Sequence, residues 1–129
     1  MIRILLIEDD YQLLRLCTRL LQNAEFEVIP AATQHAALDM FRRYKSFSLC
    51  ISDINVGSYN PMMLIRELYG LRQLSRTPML MMSAHMDQYQ MVCEESNLPY
   101  LAKPFSNQEF VNRAQALVVP IMENSELLF

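Results

Sequence analysis

The feature that most constrains this chain is a short aliphatic run that ends in charge: Ile4-Leu5-Leu6-Ile7, followed at once by Glu8-Asp9-Asp10. A run this short, apolar at every position, reads as a strand buried on both faces, as in a parallel sheet covered by helices. Adjacent carboxylates at its carboxyl end repel one another, so a cationic group is expected beside them. The pattern recurs. Leu49-Cys50-Ile51 leads into Asp53, Met79-Leu80-Met81-Met82 into Ser83, and Tyr100-Leu101-Ala102 into Lys103-Pro104. In open α/β sheets, ligands bind outside the carboxyl ends of the strands. The strand ends that carry chemical groups therefore point to one site.

Strand-like segments fall at about 2–7, 26–29, 48–52, 78–82 and 100–102, and helix-period segments lie between them. Leu13, Cys17, Leu20 and Leu21 recur at helical spacing, as do Ala37, Met40, Phe41 and Tyr44. A third helix places Met62, Ile65, Leu68 and Tyr69 on one face, opened by Asn60 as cap and Pro61 in the first turn. A weaker fourth covers about 86–96. The fifth opens at Ser106, whose spacing to Glu109 fits a capping box, and its core face is Phe110, Ala114, Leu117 and Val118. Strand–helix alternation specifies a parallel sheet with helices on both faces. Right-handed crossovers then favour a single flavodoxin-like (βα)5 domain with strand order 2-1-3-4-5. In that order the crevice between strands 1 and 3 makes Glu8, Asp9 and Asp53 neighbours.

The bulk properties narrow the function. A chain of 129 residues suits one domain with one well-buried core. A net charge of −3 gives no basic surface for nucleic acid or an anionic membrane. No apolar stretch approaches a membrane span, and the start of the chain lacks a signal-peptide pattern, so a cytoplasmic protein is expected. Cys17, Cys50 and Cys93 are odd in number and widely spaced, which fits buried apolar side chains rather than disulfides or zinc ligands. The methionines are core filler, and His35 and His85 read as surface or half-buried helix residues, with His85 near the site mouth.

A site of Glu8, Asp9, Asp53, Ser83 and Lys103 has a definite chemistry. Three converging carboxylates would drive at least one toward protonation unless a cation relieves them. Mg²⁺ suits, because it binds through one or two carboxylates and keeps waters for substrate phosphate. Ser83 adds a hydroxyl and Lys103 a compact cation on a long stem. Carboxylate nucleophile, metal, hydroxyl and lysine together are parts for phosphoryl transfer, where catalysis is mostly positioning and charge neutralisation. Any one such residue at a strand end is ordinarily just solvated; five at one predicted edge are not ordinary.

With Asp53, Met82-Ser83-Ala84 and Tyr100-Leu101-Ala102-Lys103-Pro104-Phe105, the opening Ile4–Asp10 string resembles a receiver domain of bacterial two-component response regulators, over residues 1 to about 118. The resemblance implies a phosphoacceptor that takes a phosphoryl group onto Asp53 from a histidine kinase or phosphotransfer protein and requires Mg²⁺. It implies Asp9 as direct metal ligand, Glu8 as ligand through water, and the Asn55 backbone carbonyl as a further ligand. Lys103 would pair with Asp53 and then with a phosphoryl oxygen. Ser83 would be the switch hydroxyl, and Tyr100 the aromatic that swings inward as Ser83 moves. The Lys103–Pro104 peptide is expected to be cis. Asp10 is read as a helix-start residue.

One stretch departs from that family. The loop after Asp53 reads Asn55-Val56-Gly57-Ser58-Tyr59-Asn60-Pro61, where members often carry Pro at the position of Gly57 and Gly at that of Pro61. This motivates the alternative of a phosphorylation-independent receiver-like interaction module. A phosphatase of the haloacid-dehalogenase type would need a second carboxylate where Asn55 stands. A flavodoxin would need a phosphate cradle where Glu8-Asp9-Asp10 stands. The expected partners are the phosphodonor and a downstream protein or fused output domain, with a homodimer open and no turnover chemistry beyond the domain's own phosphorylation and dephosphorylation. Residues 119–129 read as a C-terminal tail or the start of a linker.

Overall fold

Alternate side chains of β1 (Arg3–Ile7) leave a strand on opposite faces, and here both faces are dry. Ile4 and Leu6 join one core with Leu14, Cys17, Leu21, Leu80 and Phe110; Leu5 and Ile7 join another with Phe41, Ile54, Leu64, Met81 and Cys93. The structure, a computed structural model, describes residues 2–44 and 46–118, with backbone only at 74 and 75. The predicted tail at 119–129 lies outside the described residues.

The remaining elements are α1 (Tyr11–Asn23), β2 (Glu27–Ala31), α2 (Gln34–Tyr44), β3 (Leu49–Asp53), α3 (Pro61–Ser75), β4 (Met79–Ser83), α4 (Met86–Glu95), β5 (Tyr100–Ala102) and α5 (Asn107–Leu117). The five strands are all parallel, in the order β2-β1-β3-β4-β5 expected from the sequence. One core lies beneath α1 and α5, the other beneath α2, α3 and α4, so the sheet is the middle of three layers.

Local chemistry starts the helices where the sequence expects. The Asp10 carboxylate accepts from the Gln12 and Leu13 amides at 3.0 and 3.2 Å, capping α1. Asn60 caps α3 through the Met62 and Met63 amides, with Pro61 in the first turn. The Ser106 hydroxyl accepts from Glu109 N at 3.0 Å at the head of α5. The Lys103–Pro104 bond is cis, as expected.

Two details differ from the sequence reading. Strand β2 runs past Pro30 to Ala31 rather than stopping at 29. It is an edge strand, where a proline's missing N–H costs no ladder bond on the open side. On α3 the buried residues are Leu64, Ile65 and Leu68, while Met62 and Tyr69 are exposed. That helix is apolar on several sides, so more than one stripe fits its pattern.

All three cysteines are fully buried within the two cores. Burial pushes the Cys17 thiol up to about 12, with help from the Glu8 charge, and the Cys93 thiol up to about 11. Burial raises Cys50 further still.

Candidate functional site

Register decides what meets at the carboxyl edge. Ile7 lies beside Ser52 of β3, Asp53 beside Met82 of β4, and Ser83 beside Ala102 of β5. The next residue along β1 is therefore Glu8, beside Asp53, and the next along β5 is Lys103, one strand beyond β4. Glu8 is 1% exposed, Asp53 6% and Ser83 0%. Burial of that degree forces every polar atom to find a partner.

Lys103 is the hub. Its ammonium donates to Glu8 Oε1 at 2.7 Å and to Asp53 Oδ2 at 3.1 Å. The other oxygens are also held: Glu8 Oε2 accepts from Asp10 N at 3.0 Å, and Asp53 Oδ1 from Asn55 N at 3.1 Å. Burial raises the Glu8 pKa above the ordinary glutamate range; the Lys103 hydrogen bond and the Asp10 amide pull it down, and the Asp53 charge adds to the rise. Burial works against the charge on Lys103, but the hydrogen bond to Glu8 and the charges of Asp53 and Glu8 outweigh it. Its pKa lies above the usual lysine value. The lysine thus stays cationic while Glu8 is the carboxylate under stress.

Asp9 completes the acid cluster from outside. It is exposed, and its Oδ2 accepts from Gly57 N at 2.7 Å. Carboxylate oxygens from Glu8, Asp9 and Asp53 all lie within 4.8 Å of one another. Opposite ligands of an octahedral Mg²⁺ stand about 4.1 Å apart, so modest side-chain rotation would close this set on such an ion. Fully ionised, the three carboxylates and Lys103 leave two net negative charges, which a divalent cation would cancel. Hard oxygen donors with that charge fit the group the sequence calls for.

Around this centre, the Ser83 hydroxyl donates to Asn55 Oδ1 at 3.1 Å and accepts from His85 N at 2.9 Å. The Lys103 amide donates to the Ser83 carbonyl at 2.9 Å, tying the two strand ends together. His85 itself is exposed at the start of α4 and makes no side-chain cap. Tyr100 is half-buried, and its hydroxyl reaches Glu94 Oε1 on α4 at 2.7 Å.

The sequence profile of response regulator receiver domains matches residues 4–115. The chain belongs to the receiver-domain family. Among curated relatives, the transcriptional regulatory protein CpxR of Escherichia coli (strain K12) is 34% identical over 118 residues, covering 90% of this chain and 49% of CpxR. This receiver thus spans about half the length of that relative. Among solved structures, the non-phosphorylated HemR receiver domain of Leptospira biflexa matches with a TM-score of 0.79 at 25% identity, over 91% of this chain and 94% of that one. The chemotaxis protein CheY4 of Vibrio cholerae matches with the same TM-score of 0.79 at 22% identity, over 92% and 99%, and shares the fold. Among the described residues, no helix of the receiver is long and apolar enough to cross a membrane.

The structure brings together Glu8, Asp9, Asp53 and Lys103, with Asn55 and Ser83 joined beside them. Tyr100 stands apart, turned to α4. Sequence reasoning missed three participants. The Asn55 side chain accepts from Ser83, whereas the family resemblance implies a role only for the Asn55 backbone carbonyl. Glu94 holds the Tyr100 hydroxyl, and Gly57 N holds Asp9. For Gly57 a signal existed, since the chain has only 2 Gly and one sits in this loop at φ +59°. For Glu94 there was none.

Proposed function

We propose that this receiver accepts a phosphoryl group on Asp53 from a phosphohistidine of a kinase or phosphotransfer protein, with Mg²⁺, and changes affinity for a downstream partner. The observation that carries the reading is the buried Asp53 at the end of β3, bonded to Lys103 and within reach of two further carboxylates.

In the transfer, an Asp53 carboxylate oxygen attacks the donor phosphorus in line. The P–O bond forms as the P–N bond to imidazole breaks, and the imidazole leaves with the bonding electron pair and takes a proton from water. Lys103 is placed to follow the charge, leaving its Asp53 oxygen for a phosphoryl oxygen while keeping Glu8. Glu8, Asp9, Asp53 and the Asn55 carbonyl are the residues that would hold Mg²⁺, either directly or, for Glu8, through water. When bound, the ion supplies neutralisation of the charge gathered on the phosphoryl oxygens.

Ser83 can then exchange Asn55 for the phosphoryl oxygen. Movement of that hydroxyl, which also holds His85 N at the start of α4, gives Tyr100 a reason to leave Glu94 and turn inward. Phosphorylation thereby biases a two-state face made of α4, β5 and α5. The domain performs one transfer and its own dephosphorylation, rather than turnover of a free substrate. The downstream partner is a separate protein or a fused output domain.

The test is intact-mass measurement after incubation with acetyl phosphate, with and without Mg²⁺, on wild type and Asp53→Asn. One phosphoryl adduct that requires both Mg²⁺ and Asp53 is expected. An adduct that persists in Asp53→Asn moves the acceptor elsewhere. No adduct in wild type leaves a phosphorylation-independent module.

A further inference from the structure

The loop that departs from the family pattern touches the acid cluster through its backbone. Gly57 lies on the exposed rim, and its N–H donates to Asp9 Oδ2 at 2.7 Å across 48 positions of sequence. The residue sits at φ +59°, in the left-handed region that favours glycine, and this orientation delivers the amide to the carboxylate. A Cβ built at Gly57 meets nothing within 4 Å, so the constraint there is on the backbone and not on space. Proline could serve neither need, having no N–H and a φ fixed near −65°.

The loop presenting this amide is fastened on its far side. Tyr59 N donates to Val56 O at 3.2 Å, the Tyr59 hydroxyl donates to Glu67 on α3, and Gln34 of α2 donates to the other oxygen of Glu67. Asn60 closes the loop as the cap of α3. An anchored donor fixes its acceptor. An exposed aspartate otherwise samples several rotamers, and ordering it for a cation costs conformational entropy.

We propose that the Gly57 N–H is a positioning group for the divalent-cation site, holding Asp9 by one carboxylate oxygen so that the other is ready for the ion. A carboxylate has about four lone-pair positions, so one amide leaves room for a metal. Partners that orient a metal's carboxylate ligand are worth about 10- to 100-fold in metal affinity. The inference rests on the Mg²⁺ reading above and adds to it which backbone group prepares the exposed ligand.

The experiment is Mg²⁺ titration of the full chain by calorimetry, with the Gly57 amide resonance followed in parallel, for wild type, Gly57→Asn and Gly57→Pro. Asparagine tolerates the left-handed region and keeps the N–H. Gly57→Asn should therefore bind Mg²⁺ within about twofold of wild type, and Gly57→Pro at least tenfold more weakly. In wild type the Gly57 amide proton should stay at a hydrogen-bonded downfield position throughout the titration. Equal or tighter binding by Gly57→Pro would overturn the proposal, as would loss of the downfield amide on adding Mg²⁺, because either makes the amide a competitor of the ion. The wild-type resonance decides the matter even if Gly57→Pro does not fold. A wild type that binds no Mg²⁺ overturns the metal reading itself, and this inference with it.

Discussion

Glu8 and Asp9 are neighbours in sequence, yet they live in different environments. Glu8 is buried, shares Lys103 with Asp53, and spends its second oxygen on the Asp10 amide. Asp9 is exposed and reaches across to a loop. The inner half of the site is thus built from strand ends, whose positions the sheet register fixes, and is closed on itself by charge. The outer half hangs on the segment between β3 and α3. This division suggests that the inner half sets what chemistry happens, while the outer half sets how readily the site is loaded.

Removing Lys103, the hub of the inner half, should disturb the site most. Lys103→Ala leaves Glu8 and Asp53 side by side without a cation, and taking one partner from a buried ion pair costs about 3 kcal/mol. Urea unfolding in Mg²⁺-free buffer should show that loss, and Mg²⁺ should restore part of it by replacing the missing positive charge. Asp9→Asn removes no such pair and should leave Mg²⁺-free stability nearly unchanged while weakening Mg²⁺ binding. A Lys103→Ala protein as stable as wild type would mean that the inner half is not interlocked.

The second test uses pH. Because burial raises the Glu8 pKa, the folded state binds that proton more tightly than the unfolded chain does. Glu8 therefore makes stability fall as pH rises through its raised pKa, and below that window the penalty is absent. Glu8→Gln, which cannot ionise, should flatten this part of the stability–pH curve. It should also melt at a higher temperature than wild type at neutral pH without Mg²⁺. A lower melting temperature would show that the ion pair with Lys103 outweighs the burial of the charge.

Smaller effects are expected farther from the hub. Ser83→Ala removes two hydrogen bonds, one to Asn55 and one from His85 N, and should cost about 2 kcal/mol in urea unfolding, at the usual net value of about 1 kcal/mol for each. The acetyl phosphate adduct should still form, because Asp53 and Lys103 are untouched. Tyr100→Phe should be the mildest, with adduct formation and melting temperature near wild type. Its effect should appear as a changed balance of α4 and β5 amide shifts between the free and phosphorylated states, because only the contact to Glu94 is lost.

The inner half was legible in the sequence because each member ends or follows a run of aliphatic residues, and parallel order brings those ends together. Glu8, Asp53, Ser83 and Lys103 needed no more than that. The outer half was not, because the path of a loop depends on individual φ values and on contacts between residues far apart in sequence. The Gly57 amide has no side chain to announce it, and the bond from Tyr100 to Glu94 depends on how α4 sits against β5. The buried face of α3 is hidden from the sequence for a different reason: apolar residues surround that helix, so periodicity does not choose Leu64 over Met62 or Tyr69.

The three buried thiols have a practical consequence. With Cys17 and Cys93 at about 12 and 11, and Cys50 raised further, hardly any thiolate is present at neutral pH. A cysteine introduced at exposed Ser58 on the rim should then react with a maleimide far faster than any native thiol. A fluorophore could be seated beside the Asp9–Gly57 contact in the otherwise native sequence, making the loading of the site visible as an optical signal.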